Sequence, residues 1–459
     1  MDLLLAHGYF LAEDEHERRV MKPYPTLGLL YLSAYLKSKG FAVGVFDSTF
    51  QSLADFEARL RAERPPVVGL YANLMTKFNV LKMIPLCKAV DATVVLGGPE
   101  PVSYAAEYLA RGADVIVVGE GELTVEDLLA RRFQNLREVP GIIFRAGDGA
   151  VVRNPPRPYI SNLDALPFPD REAIDGDRYV RVWREHHGLG SVSLICARGC
   201  PYHCQWCSHA VYGHTHRRRS PANVVAELEM LLERYQPDQI WYADDVFTIH
   251  RRWFFEYAAL LRQRGIKIPF ECISRADCMN EDVVRTLAEM GCCRLWIGSE
   301  SGSQRILDAM RRDADAEDVR AKTKMLQQHG IQVGMFIMLG YEGEEVADLE
   351  ATTEHLKLAK PDTFLTTVAY PIKGTPYYAE VEARVLARAE WDKVSDRDLT
   401  VQGRYSRRFY SFATRWMVNA VALHREWRGP RRPLSLARTL ANTALGRAGM
   451  MLTRHEREA

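Results

Sequence analysis

No uninterrupted apolar stretch in this 459-residue sequence is long enough to cross a bilayer, so a helical membrane span is not expected. The start, Met1–Glu17, lacks the basic residues that open a secretory signal. Instead a short apolar stretch is followed by Glu13, Asp14, Glu15 and Glu17, and the segment reads as a mature first strand. Neither sign of charge is in excess: 60 Lys and Arg face 59 Asp and Glu, for a formal net charge of +1. No nucleic-acid or membrane class is forced by that balance, and no nucleic-acid partner is expected. A repeat of solenoid period is absent. Cysteine is scarce too, nine residues placed too sparsely and unevenly for a secreted disulfide scaffold. Three of them crowd into residues 200–207, which favours a reducing cytoplasm and a metal.

The length exceeds what one core supports and suits two domains with an appendage. Along residues 1–135, apolar or β-branched runs alternate with helix-period segments, the pattern of a doubly wound, flavodoxin/Rossmann-like domain. Its strands are predicted at Leu3–His7, Ala42–Asp47, Val67–Asn73, Thr93–Gly97 and Val115–Gly119. Helices are predicted near Gly28–Lys39, Leu53–Glu63, Phe78–Val90, Tyr104–Arg111 and Val125–Arg131. Residues 136–185 read as a hairpin turning at Gly147-Asp148-Gly149, then a linker rich in proline, which sheet interiors exclude. Residues 186–390 carry a second series, with strands at Ser191–Ala197, Gln239–Ala243, Phe270–Ser274, Arg294–Gly298, Gln332–Met338 and Thr363–Ala369. Six β/α units make an open, partial (β/α)6 version of the TIM barrel, a fold whose chemistry gathers at the C-terminal strand ends. Residues 391–459 form a basic helical segment; from 401 onward twelve arginines face three glutamates.

Directly after the first strand of the second series, Cys200, Cys204 and Cys207 stand at C-x3-C-x2-C spacing in one short loop. Thiolates are the ligands that iron–sulfur clusters take. Three of them leave one iron of a cubane open to a further ligand. Structural zinc needs a fourth ligand, usually from a second paired element, and neither Cys272/Cys278 nor Cys292/Cys293 has that spacing. Cys196 would complete four ligands, but its place inside the strand favours packing.

The triad, with the aromatic Trp206 before its last cysteine, resembles the radical S-adenosylmethionine (SAM) superfamily. The resemblance implies a [4Fe-4S] cluster on Cys200, Cys204 and Cys207, with SAM chelating the open iron. An electron from the cluster would cleave SAM to methionine and a 5′-deoxyadenosyl radical. Other strand ends fit the same pattern. Asp244 and Asp245 fall where the superfamily receives the SAM amino group, Arg275 suits the SAM carboxylate, and Glu300 suits the ribose hydroxyls. Met338-Leu339-Gly340-Tyr341 and Pro371–Pro376 resemble turns near adenine or substrate. Read alone, paired aspartates after a strand are helix caps, Arg275 a structural ion pair and Glu300 a cap; their joint appearance at successive strand ends raises them together. Arg217, Arg218 and Arg219 read plainly as half solvated surface, although the superfamily often has an arginine here near the cluster.

In the first domain the loops after the strands are small and permissive: Leu74-Met75-Thr76, Gly97-Gly98 and Gly119-Glu120-Gly121-Glu122. Glycines there let an extended cofactor approach the backbone, or simply make tight turns. With Pro25–Leu32 opening the first helix, these motifs resemble the cobalamin-binding domain fused to many radical SAM enzymes. That likeness implies a cobalamin whose nucleotide tail threads the crevice. Relatives that ligate cobalt through histidine use D-x-H-x-x-G, and Arg19 stands where the glycine belongs, so His16 is not expected as an axial ligand. Leu74, Met75 or Thr76 would then approach the lower face.

Together the resemblances imply a methyltransferase in which one SAM methylates cobalamin and a second yields the radical that activates an unactivated carbon. A cyclase or rearrangement enzyme using cobalamin without methyl transfer, and a non-catalytic cobalamin-binding protein, are the alternatives. The expected partners are a small-molecule, lipid or peptide substrate and an external electron donor such as flavodoxin or ferredoxin. A cytoplasmic monomer is expected. Arg404–Tyr410 and Arg425–Arg432 mix basic and aromatic residues; a packed, solvated helical face is the plain reading, and membrane-surface contact the alternative, with Leu434–Leu452 as an interfacial helix.

Overall fold

In the computed structural model, which describes residues 1–428 and 433–459, the chain forms two compact units. The first comprises Met1–Pro201, Ser208–Trp241 and Glu390–Ser395; the second comprises Tyr202–Cys207, Tyr242–Ala389 and Asp396–Ala459.

The first unit is built on a seven-stranded sheet. Its strands are β1 (Leu3–His7), β2 (Val43–Phe46), β3 (Val67–Tyr71), β4 (Thr93–Gly97), β5 (Val115–Val117), β6 (Ile142–Arg145) and β7 (Val151–Arg153), in the order 2-1-3-4-5-6-7. The first five are parallel and follow the flavodoxin-like order, which reverses direction between β1 and β3. The expected hairpin forms as β6 and β7, and β6 pairs antiparallel with β5, so it extends the sheet. Both faces of the sheet are covered, which is why β1 and β3 read as continuous apolar runs.

The first strand forms at Leu3–His7 as read, and beyond it Asp14 caps a short helix, Glu15–Val20, by accepting from the Glu17 amide. Two features depart from the sequence reading. The proline-rich stretch is followed by a further helix, Gly176–His187, started by Asp175 and ended at Gly188. Proline density hid it, although its apolar residues Tyr179, Val180 and Trp183 recur at helical period on one buried side. Finally, Glu390–Ser395 belongs to the first unit. Lys77 is 1% exposed, donates to the Val394 carbonyl at 2.8 Å, and holds its ammonium 4.0 Å from the centre of the Trp391 ring.

The remaining strands are β8 (Ser191–Leu194), the two-residue pair β9 (Ala197–Arg198) and β10 (Arg217–Arg218), then β11 (Gln239–Tyr242), β12 (Phe270–Ser274), β13 (Cys292–Glu300), β14 (Gln332–Leu339) and β15 (Thr363–Val368), and a short antiparallel pair, β16 (Val385–Leu386) and β17 (Thr400–Val401). All six strands expected of the second series form, and they lie in chain order within one sheet. Between β12 and β15 every pairing is parallel, with a helix on each crossover. The register of β13 against β14 shifts between Gly298 and Glu300, a bulge at the strand's C-terminal end.

The C-terminal segment is helical at Arg407–Arg428 and Pro433–Thr453. In the first basic and aromatic patch, Arg404 donates to the carbonyls of Gly340 and Ala369, Tyr405 stacks on Phe409 with centroids 4.1 Å apart, and Phe409 and Tyr410 are buried. The aromatic residues and Arg404 of that patch are packing, while Arg407 and Arg408 are exposed. The second, Arg425–Arg432, lies for the most part outside the described residues.

Candidate cofactor and active site

In the first unit a cavity opens between the sheet and two of its helices, Leu27–Ser38 and Glu122–Ala130, with about 790 Å³ of empty space counting its open mouth. Apart from Leu70, the wall contributed by the sheet comes from one pleat face: Leu3 and Leu5 of β1, Gly69 and Tyr71 of β3, Val95 and Gly97 of β4, and Val117 at the end of β5. It continues over the loops through Gly98, Gly119, Glu120, Gly121 and Glu122, and is closed by Arg198, Val211 and Tyr212. The predicted glycines therefore line one space at the strand ends of a flavodoxin-like sheet.

The glycines act differently. A Cβ on Gly97 or Gly28 would meet nothing within 4 Å, so these residues face open space. Gly98, at φ +107°, would put a Cβ 2.2 Å from the Ala72 carbonyl oxygen, so it is required by the backbone itself. Gly69 was missed by the sequence reading, although a glycine inside an apolar strand is itself a sign of close approach.

Glu120 and Glu122, expected at the cofactor, are tied to arginines. Arg198 donates to Glu120 at 2.7 Å and to Glu122 at 2.6 Å, and Arg217 reaches both oxygens of Glu120 at 2.9 Å. Burial opposes the charge on Arg198, but Glu122 and Glu120 hold it firmly protonated. Arg219 is also buried and paired, with Glu227, so Arg217 and Arg219, read as surface, are held in ion pairs. Because Arg198 stands two residues before Cys200, this buried network fixes the start of the cysteine loop to the glycine-rich wall.

The Leu74-Met75-Thr76 loop does not line that cavity. Thr76 is buried, its hydroxyl accepting from the Asn73 amide, and Met75 is 48% exposed. Met75 and Thr76 border a second recess of about 700 Å³ with His7, Tyr9, Glu17 and Lys22. His16 is exposed on its short helix and borders neither space.

Of the cysteines, Cys200 is half-buried, Cys204 buried and Cys207 exposed, all as free thiols. Among the described residues no three His, Cys, Asp or Glu side chains are gathered as a metal-holding group. The donor set is nonetheless that of an iron–sulfur cluster, three thiols on one loop with no disulfide, and a cation attends one of them: Arg312 Nη1 lies 3.8 Å from Cys204 Sγ. Trp206 packs against a buried cluster that includes Met310, Met338 and Tyr377, an apolar support for the loop.

In the second unit Arg312 organises the predicted SAM-binding positions. It donates to the Gly298 carbonyl from Nε at 3.2 Å and Nη2 at 2.9 Å, and its Nε stands 3.9 Å from Glu300. Glu300 sits on the β13 bulge in left-handed backbone, φ +60°, a conformation that non-glycine residues adopt rarely and that here re-aims its side chain. Burial pushes its carboxyl up to about 7, partly opposed by Arg312. Arg275 is buried, paired with both oxygens of Asp277 at 2.9 and 3.1 Å, and stacked 3.7 Å from the centre of the Tyr202 ring. Its Nη2 supports the carbonyls of Arg312 and Asp313, while its Nη1 is buried without a hydrogen-bond partner. Asp244 is buried and Asp245 exposed at the end of β11. The sequence reading missed Arg312 because it follows the short helix Gln304–Ala309 rather than a strand.

Comparison with known proteins agrees with this anatomy. Residues 19–129 match the B12 binding domain and residues 194–356 the Radical SAM superfamily. The chain is 28% identical over 398 residues to an uncharacterized methyltransferase of Pyrococcus horikoshii, covering 84% of this chain and 85% of that protein. It is 27% identical over 354 residues to the anaerobic magnesium-protoporphyrin IX monomethyl ester cyclase of Rubrivivax gelatinosus, covering 74% of this chain and 63% of the cyclase. Its fold resembles the radical SAM methyltransferase TsrM from Kitasatospora setae, solved with cobalamin and a [4Fe-4S] cluster, with a TM-score of 0.69 at 19% identity over 83% of this chain and 74% of that one. A [4Fe-4S] cluster, SAM and cobalamin are the cofactors that these two domains imply. The chain thus carries both domains in succession, a B12 binding domain followed by a Radical SAM domain, the pairing of a cobalamin-binding-domain radical SAM enzyme.

Proposed function

We propose that the protein methylates an unactivated carbon of a small-molecule substrate, drawing electrons from an external donor such as flavodoxin or ferredoxin, as a cytoplasmic monomer. The observation that carries the reading is the glycine-walled cavity, whose Glu120 and Glu122 are held by Arg198 two residues before Cys200. When bound, the cluster supplies the electron that cleaves SAM, and cobalamin serves as the methyl carrier.

The chain's own residues do the holding. Cys200, Cys204 and Cys207 take the thiolate roles, with Arg312 offsetting negative charge at Cys204. Asp244, Asp245 and Arg275 address the amino acid end of SAM, Arg275 through its remaining N–H group. Glu300 is set for the ribose, and Arg312 favours its ionised, accepting form. Gly97, Gly98, Gly119 and Gly121 make room for cobalamin, while Glu120 and Glu122 act through Arg198. We assign these tasks to residues 1–135 and 186–390, with 136–185 joining them and 391–459 outside the chemistry.

Incubation with SAM, a reductant and cobalamin should yield 5′-deoxyadenosine, and Cys204→Ala should abolish it; SAM cleavage by that variant would remove the site from consideration. Methyl-labelled SAM should pass label to product. The likeness to a cyclase supports a second reading, cobalamin chemistry without methyl transfer. Unlabelled product formed with stoichiometric 5′-deoxyadenosine would select it.

A further inference from the structure

The last two helices, Arg407–Arg428 and Pro433–Thr453, form a close pair, and the second turns its small residues inward. A Cβ on Gly446 would fall 2.6 Å from the Trp416 amide nitrogen, and one on Gly449 only 2.3 Å from the Phe412 ring. Met450 and Thr453 are buried on the same side. The opposite face presents Leu434, Ala437, Ala441, Leu445, Ala448 and Leu452, a repeat of three and four residues along the helix, and all six are exposed. Leu434 at 88% and Leu452 at 82% are the most exposed large apolar side chains among the described residues.

An apolar stripe of this length on a helix already anchored along its other face is not a core element. Its charge setting is one-sided. Between Glu426 and Glu456 the sequence has no acidic residue, whereas Arg438 is exposed on the stripe and Arg454 and Arg457 are exposed at its C-terminal end. Carboxylates at its margins are engaged by arginines, Glu350 by Arg447 and Glu456 by Arg408, so an apolar stripe with Arg438 at its edge matches a surface that is hydrocarbon within and anionic at the headgroups. A second copy of the chain fits less well. Two-fold pairing of this helix with itself would set arginines against arginines with no carboxylate on either helix to answer them. No helix among the described residues is long and apolar enough to cross a membrane, so the geometry suits lying on a surface.

We propose that the outer face of Pro433–Thr453 docks the protein in the plane of an anionic lipid surface. The inference is independent of the reaction catalysed. Full-length protein should co-float with phosphatidylcholine vesicles containing phosphatidylglycerol and not with phosphatidylcholine alone, and high salt should weaken the association. The double variant Leu445→Glu and Leu452→Glu, which alters exposed residues only, should lose at least about tenfold in vesicle partitioning with its thermal unfolding unchanged. If that variant folds poorly, Arg438→Glu replaces it and should lower partitioning in the same direction. Equal binding to neutral and anionic vesicles, no binding to either, or unaltered binding by the variants would each overturn the proposal. So would a concentration-dependent dimer in sedimentation that the double variant dissolves, since the face would then serve a second copy of the chain.

Discussion

The two sites use opposite means. In the first unit, space is made by leaving side chains out: Gly28, Gly69, Gly97 and Gly98 stand where a β-carbon would fill the cavity, strike Leu5, or strike the Ala72 carbonyl. In the second unit, the predicted SAM positions are crowded with charge, and Glu300, Arg312 and Arg275 are all buried around the Gly298 carbonyl and the Arg312–Asp313 backbone. A cavity defined by glycine tolerates loss of its ligand because nothing charged is left stranded. A site defined by buried charge is held in tension until a ligand answers it. The first should therefore respond to added volume, the second to pH.

The largest effect tests whether the glycines are equivalent. Gly98→Ala combines a left-handed backbone with a contact of 2.2 Å to a backbone oxygen, so it should cost more than about 4 kcal/mol in urea unfolding of the cofactor-free protein. A loss under about 1 kcal/mol would mean that the loop relaxes freely and that the wall is not fixed by the backbone. Arg198→Ala should follow, at about 3–5 kcal/mol, because it leaves the buried carboxylates of Glu122 and Glu120 without their shared cation. Adding Glu122→Gln should recover part of that loss. Two losses that simply add would show that the pair is not coupled, and the link between glycine wall and cysteine loop would fail with it.

How much of this was legible in the sequence follows the same division. Strand ends were readable because parallel, doubly covered strands are apolar throughout; Leu3–His7 and Thr93–Gly97 stand where the runs placed them. Cysteine spacing and glycine pairs were readable because they are local. Interactions made far along the chain were not. Arg312 meets Cys204 across 108 residues and Arg198 meets Glu120 across 78, and no periodicity links them. Glu120 and Glu122 were drawn toward the cofactor by their motif, yet their carboxylates are engaged by arginines that the sequence placed in another unit of the pattern. The helix Gly176–His187 was concealed by neighbouring prolines, which break sheets but sit readily before a helix.

The third prediction turns on pH in the second unit. The Glu300 carboxyl is raised from an ordinary 4.5 to about 7, with burial as the main cause. A folded-state pKa above the unfolded one favours folding fully below about pH 4.5 and is lost as pH rises through about 7. In the cofactor-free protein, Glu300→Gln should thus be more stable than the parent at pH 8 by about 2–3 kcal/mol, with the advantage nearly gone at pH 4.5. If the advantage is the same at both pH values, the gain comes from something other than the buried charge. Saturating SAM should shrink the advantage, because the ribose hydroxyls would then donate to the ionised carboxylate.

The smallest effect sharpens the comparison most, because it separates the cavity from the fold. A β-carbon on Gly97 meets no atom within 4 Å, and its backbone has no need of a left-handed conformation. Gly97→Ala should accordingly leave urea unfolding of the cofactor-free protein within about 0.5 kcal/mol of the parent. The added methyl group projects into the space assigned to cobalamin, where a ligand that packs closely would have to yield. Cobalamin affinity should fall by about tenfold, which corresponds to about 1.4 kcal/mol. Neighbouring Gly98→Ala should lose stability first and affinity as a consequence. Full cobalamin affinity in the Gly97 variant would place the cofactor away from the end of β4, and the glycines there would be turns and nothing more.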